Sequence, residues 1–216
     1  YLADHGITGL KATVARLLLE RIRRWDLATA AGVDRFVVNS RYVGERVRRL
    51  YGRESTVIHP PVDVEFFTPD GPRDADLYVT ASRQVPYKRI DRIVEAFRAL
   101  PDRRLVVIGD GPQRERIRAA AAGAPNIMLA GEVPREALRD WFRRARAFVF
   151  AADEDFGIVP LEAQACGTPV IALGKGGALE TVRGEPGADR TGLFFADDTP
   201  ATIADAVRRF ESLPVA

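Results

Sequence analysis

The sequence predicts an α/β fold on a parallel sheet covered by helices on both faces. Three observations predict it. From residue 76 onward short strands alternate regularly with helical segments. Those strands are apolar on both faces, the pattern of strands buried from either side. The unusual residues fall in turns that lead from strand to helix, where such a sheet binds its ligands.

Leu10, Val14, Leu17, Leu18, Ile22 and Trp25 recur at helical spacing, with Arg16, Arg21, Arg23 and Arg24 between them, giving an amphipathic helix with a basic face. Residues 35–39 (RFVVN) read as a short buried strand, Ser40 as the N-cap of a helix over 41–51, and Gly52 as its end. Residues 55–59 (STVIH) read as a second strand, stopped by Pro60 and Pro61. The stretch 63–76 holds Pro69, Gly71 and Pro72 without periodicity and reads as an interdomain linker. Beyond it, strands are predicted over 77–81, 104–108, 126–129, 147–150, 169–172 and 192–195. Helices are predicted over 90–99, after the turn at Gly109-Asp110-Gly111 through 121, and over 135–145, 160–166, 178–182 and 200–211.

With 46% hydrophobic and 29% charged residues, the composition is that of a globular chain, and no apolar run is long enough to cross a bilayer. The amino end is short, polar and charged, unlike a signal peptide. One cysteine, Cys166, excludes an intrachain disulfide framework and points to a reducing, cytoplasmic setting. Two distant histidines, His5 and His59, offer no zinc spacing, and no metal site is predicted. The chain begins at Tyr1, with Met128 as its single methionine, and reads as a piece of a longer protein. Of 32 basic residues only Lys11, Lys88 and Lys175 are lysine, which marks positions where a compact ammonium suits better than a guanidinium. Residues 11–53 hold eleven basic against four acidic residues, a front end suited to an anionic partner or to a solvated helix face. Low aromatic content, 8%, and the lack of a recognition motif disfavour nucleic acid.

The segment 152–181, ADEDFGIVPLEAQACGTPVIALGKGGALET, carries the chemistry. Glu154 follows a strand end. Gly157 permits close backbone approach, and Pro160 is tolerated in a first helical turn because its missing N–H has no partner there. The amides of Gly157, Ile158 and Val159 then form an anion-binding helix N-terminus suited to a diphosphate. Glu162, placed in that first turn, can accept two bonds from a vicinal diol such as ribose. Either glutamate alone is more simply a surface or helix-dipole charge. The whole segment, closed by Cys166-Gly167-Thr168-Pro169 and followed by Gly176-Gly177, is not.

This segment resembles the signature of the retaining GT-B glycosyltransferases of family 4 (glycosyltransferases group 1), whose hallmark is two glutamates spaced as Glu154 and Glu162 are. The resemblance continues through residues 81–91 (ASRQVPYKRID), 107–112 (VIGDGP) and 130–133 (AGEV), and covers the chain from Asp34 onward. It implies a Rossmann-like carboxy-terminal domain over 76–216, preceded by the tail of an amino-terminal, acceptor-side domain over 1–62 and the linker 63–75. It also implies that Arg83 and Lys88 bind the donor diphosphate and steady the leaving group. Glu154 would hold donor-sugar hydroxyls, Glu162 the ribose, and the main chain around Val133 the base, with Phe156, Gly157, Ile158 and Val159 completing the donor site and Lys175 approaching from the loop 174–177. Arg89 reads as a solvated loop charge, Asp110 as a turn residue, Cys166 as packing and His59 as structural.

The acceptor-binding part and closing helix of the family are missing from this sequence, so the chain is expected to bind donor and transfer poorly alone. The wording of 85–91 and 174–181 is most similar to bacterial mannosyltransferases of O-antigen and exopolysaccharide assembly. That implies GDP-mannose as donor, no cofactor, a glycan or lipid-linked acceptor, and peripheral contact with anionic lipid at the inner face of the cytoplasmic membrane. The alternatives are a sugar-nucleotide epimerase on the same fold and a non-catalytic nucleotide-binding module.

Overall fold

The structure, a computed structural model, describes residues 9–184, 187 and 189–213, with the backbone alone for Leu10. The readings of the amino end through residue 8, His5 included, and of the Leu10 side chain lie outside the described residues. The chain divides into two units, Tyr1–His59 and Pro60–Ala216.

The first unit runs α1 (Gly9–Ala30), β1 (Phe36–Val38), α2 (Arg41–Tyr51) and β2 (Ser55–Val57), with β1 and β2 paired in parallel. Ser40 caps α2 as predicted, its hydroxyl accepting from the Val43 amide at 3.0 Å, and Gly52 closes the helix in the left-handed region. α1 is longer than the predicted 10–25. Within this unit Val14, Leu17, Leu18, Ile22 and Trp25 are all exposed.

The second unit is built on a six-stranded parallel sheet in the order β5-β4-β3-β6-β7-β8. Its strands are β3 (Leu77–Ala81), β4 (Arg104–Ile108), β5 (Ile127–Gly131), β6 (Ala147–Phe150), β7 (Val170–Leu173) and β8 (Gly192–Phe195). Its helices are α3 (Ile90–Arg98), α4 (Arg114–Ala121), α5 (Arg135–Arg144), α6 (Ile158–Ala165), α7 (Ala178–Thr181) and α8 (Pro200–Ser212). Side chains alternate across the sheet. Tyr78, Leu105 and Val107 join Phe97, Ile117 and Ile203 in one core, whereas Leu77, Val79 and Val106 join Phe142, Phe148 and Cys166 in the other. Burying each large apolar side chain contributes ~1.5–3 kcal/mol, which is why strands apolar on both faces specify this architecture.

Two element bounds are corrected, and the stretch 63–75 shows anchors of its own. Phe67 is buried in the second core, Asp63 pairs with Arg135 at 2.7 Å, and Arg143 donates to Thr68 at 2.7 Å. Aperiodic sequence there reflects an irregular strap held to the second unit. β5 starts at Ile127, one residue later than expected, and the Asn126 side chain before it donates to the carbonyls of Phe97, Leu100 and Arg103. α6 starts at Ile158, two residues before Pro160, since a proline in the first turn gives up no bond.

Candidate functional site

The chain leaves β3 toward β4 on one side, and the β6–β7–β8 half lies on the other, so the strand order reverses between β3 and β6. A crevice opens at such a switch point, outside the carboxyl ends of the strands. The turns after β3 and β6 hold Arg83, Lys88 and Glu154.

The β3–α3 turn is stitched to the β4–α4 turn. The Gln84 amide donates to the Asp110 carbonyl at 2.9 Å, its carbonyl accepts from Gln113 at 3.0 Å, and its side chain donates to the Gly109 carbonyl at 2.8 Å. A Cβ on Gly109 would stand 2.1 Å from the Ser82 carbonyl oxygen, so only glycine permits this approach. Arg83 is thus fixed by its backbone while its side chain stays exposed and makes no ion pair among the described residues. It lines a cavity of about 600 Å³ with Gly109, Asp110, Gly111 and Glu132. Asp110 is the turn residue expected, accepting from the Gly111 amide and the Arg114 guanidinium at 2.7 Å each.

A turn of 3-10 helix, Pro86–Lys88, then presents Lys88 across the switch point, where its ammonium donates to Glu154 Oε1. The two side chains are 11% and 26% exposed, so this pair is partly shielded from water. The ammonium also stands 5.8 Å from the Phe150 ring centroid and 5.2 Å from that of Tyr87, both within cation–π range.

Glu154 is placed by the β7–α7 loop. Its carbonyl accepts from the Gly177 amide at 2.7 Å, and a Cβ on Gly177 would lie 2.3 Å from the Phe156 Cα. The glycine pair of 174–177 therefore lets two backbones touch, and Lys175 is carried exposed at the tip. Gly157 caps α6, leaving the amides of its first turn, Ile158 and Val159 among them, without partners inside the helix. Phe156 is buried, and its main chain packs against Gly177. Since α6 begins at Ile158, Glu162 opens the second turn, one position beyond the first turn expected for it. Burial raises its carboxyl above the usual glutamate range, and the Arg135 charge opposes that rise. Val133 is half-buried and packs on the apolar core, which leaves its main chain toward the turn.

Arg89 is the residue that sequence reasoning missed. It is the only non-glycine with positive φ among the described residues, φ 54 and ψ 30, and its Nε lies 2.7 Å from Asp198 Oδ2. A left-handed residue with a Cβ costs roughly 1–2 kcal/mol, and no sequence pattern announces it. Cys166 is buried with its thiol pushed up to about 11 by that burial, which suits packing and not nucleophilic chemistry. His59 Nδ1 lies 3.0 Å from the Asn39 carbonyl inside the first unit.

A profile of the family described as "Glycosyl transferases group 1" matches residues 63–215. The D-inositol 3-phosphate glycosyltransferase of Xylanimonas cellulosilytica is 33% identical over 211 residues, covering 83% of this chain and 51% of the relative. The GDP-mannose-dependent alpha-(1-6)-phosphatidylinositol monomannoside mannosyltransferase of Mycolicibacterium smegmatis is 35% identical over 199 residues, covering 78% and 50%. The chain spans about half the length of the curated relatives it matches. Among solved structures, sucrose-phosphate synthase of Thermosynechococcus elongatus superposes with a TM-score of 0.73 at 24% identity, over 96% of this chain and 55% of that one. HepE of Anabaena, in complex with UDP and glucose, gives 0.72 at 18% identity, over 87% and 56%. At such identities the superpositions establish the fold. A profile that runs through every strand and turn of the second unit makes this chain a member of the glycosyl transferases group 1 family.

Proposed function

We propose that this chain is the donor half of a retaining, metal-independent family 4 glycosyltransferase that takes mannose from GDP-mannose to a glycan or lipid-linked acceptor. The observation that carries the reading is the Lys88–Glu154 pair spanning the switch point, with an exposed Arg83 in the same β3–α3 turn as Lys88. Lys88 has three N–H donors, so it can keep Glu154 while donating to a phosphate. Arg83, Lys88 and the first-turn amides of α6 would neutralise charge that grows on the nucleoside diphosphate as the sugar departs. Glu154 would accept from sugar hydroxyls next to the breaking bond, and Glu162 from the ribose. The mannosyl donor rests on the printed name of the Mycolicibacterium relative and on the wording of 85–91 and 174–181.

Calorimetry of the chain against GDP, UDP and ADP, each with and without its sugar, tests the donor. Tightest binding of GDP-mannose is expected, and a preference for UDP or ADP would overturn the nucleotide assignment. Retention is tested on the full-length protein by the anomeric configuration of the product, and conversion of donor without acceptor would point instead to an epimerase. Peripheral membrane contact belongs to the same proposal: the exposed Leu17, Ile22 and Trp25 of α1 stand among Arg16, Arg21, Arg23 and Arg24. No helix among the described residues is long and apolar enough to cross a membrane. Full-length protein should sediment with anionic vesicles, and charge reversal at the four arginines should abolish that; unchanged sedimentation would overturn it.

A further inference from the structure

The strained turn beside Lys88 has a tether whose place in the fold gives it a purpose. Arg89 ends the Pro86–Lys88 turn and starts α3 in one left-handed step. Its amide donates to the Pro86 carbonyl at 3.3 Å, and its own carbonyl accepts from Arg92 and Ile93 at 3.0 and 3.2 Å. This reversal sends the chain into α3 while leaving Lys88 pointed at Glu154 in the turn after β6. Glycine or asparagine adopts such a conformation with little cost, whereas arginine needs a reason to stay in it.

The reason on the page is Asp198, whose carboxylate meets the Arg89 guanidinium at 2.7 Å. Asp198 sits in the β8–α8 turn, and that turn is itself braced. The Asp197 carboxylate accepts from the Thr199 amide at 3.0 Å and from the Thr202 hydroxyl at 2.8 Å, and Thr199 caps α8. α3 and α8 pack side by side on one face of the sheet, so the pair joins a strained turn to a rigid one at adjacent helix starts. As an exposed pair it adds little to global stability, which leaves local geometry as its effect.

We infer that Asp198 and Arg89 are positioning residues for Lys88: the tether holds the left-handed turn that aims the ammonium at the donor diphosphate. This rests on the donor-site reading above. Loss of the tether lets the turn relax to an ordinary backbone conformation and draws Lys88 away from the switch point.

The test compares affinity for the nucleoside diphosphate the parent binds best with affinity for the matching monophosphate, a ratio that reports the reach of Lys88. Asp198→Asn and Arg89→Gln should each lower the ratio roughly tenfold, with melting temperature nearly unchanged. Arg89→Gly, which takes the left-handed conformation freely, should keep the parent ratio, and Asp198→Asn should then have no further effect. A ratio unchanged in Asp198→Asn, or lowered equally in the Arg89→Gly background, overturns the inference. Lys88→Ala separates the two levels. If it lowers the ratio while Asp198→Asn does not, the tether alone is wrong; if Lys88→Ala leaves the ratio intact, the donor-site reading falls and the inference with it.

Discussion

At the amino ends of the strands, Asp76 accepts two bonds from Arg104 at 2.7 and 2.8 Å, and Glu211 accepts from Arg103 at 2.9 Å and from the Tyr78 hydroxyl at 2.8 Å. At the carboxyl ends of the same strands, Arg83 has no ion pair among the described residues and Lys88 has Glu154. The residue types are alike, but what remains unsatisfied differs. Around Glu211 the carboxylate, guanidinium and buried hydroxyl satisfy one another and staple α8 to β3 and β4. Around Glu154 the charges are fixed by backbone contacts and keep donors to spare. Spare capacity on a rigid frame, and not charge alone, separates a binding edge from a stapled one.

Substitutions at the two edges should therefore fail in different assays. The largest effect is expected at Lys88: its replacement by alanine removes a charged bond worth ~1.5–3 kcal/mol, lowering nucleoside-diphosphate affinity by ~10–100-fold with the fold intact. Unchanged affinity would put the phosphates elsewhere. Glu211→Ala should do the opposite, costing ~1–3 kcal/mol of stability in a denaturation curve and leaving nucleotide affinity untouched.

That stability has a defined pH window. The Arg103 guanidinium, and then the Tyr78 hydroxyl, hold the Glu211 carboxyl below its usual range. A depressed folded value means the contribution is present above the unfolded glutamate range and is lost as pH falls through the depressed value. The difference between parent and Glu211→Ala should shrink on that acid side; a difference constant with pH would show that the pair is not its source.

A smaller effect is expected at Glu162, whose carboxyl is shifted upward by burial. Its charge is lost at a higher pH than for an ordinary glutamate, so nucleotide affinity should weaken by roughly fivefold through that range. Glu162→Gln should bind weakly at every pH and lose the step. A parent without the step would remove Glu162 from the ribose site. Smallest of all, EDTA should leave nucleotide affinity unchanged, because the protein supplies the cations; affinity that vanished on chelation and returned with Mn²⁺ would contradict that.

Periodicity reached the second unit well. β3, β4, β6 and β8 have the predicted bounds because a strand buried on both faces leaves an uninterrupted apolar run. Resemblance singled out the glutamate pair and the two cations, and the fold brings Lys88 onto Glu154. Neither reached what depends on distant backbone. Phe66 and Phe67 sit in a stretch without periodicity, yet the Arg135 guanidinium covers the Phe66 ring at 4.1 Å and Phe67 is buried. Arg89 lies next to Lys88 in an apparently solvated run, and only the fold reveals its left-handed backbone and its bond to a residue more than a hundred positions away. The start of α6 escapes the sequence for a local reason: Pro160 marks a first turn without saying which residue of it.

The division of labour between the two glutamates tests the central claim most directly. Titrations of Glu154→Ala and Glu162→Ala with a nucleoside diphosphate and with its sugar conjugate give four affinities to set against the parent. Glu162→Ala should weaken both ligands alike, whereas Glu154→Ala should spare the free nucleotide and weaken the conjugate, each loss being ~1.5–3 kcal/mol. Equal losses for both ligands in both variants would contradict a donor site in which Glu154 reads the sugar and Glu162 the ribose.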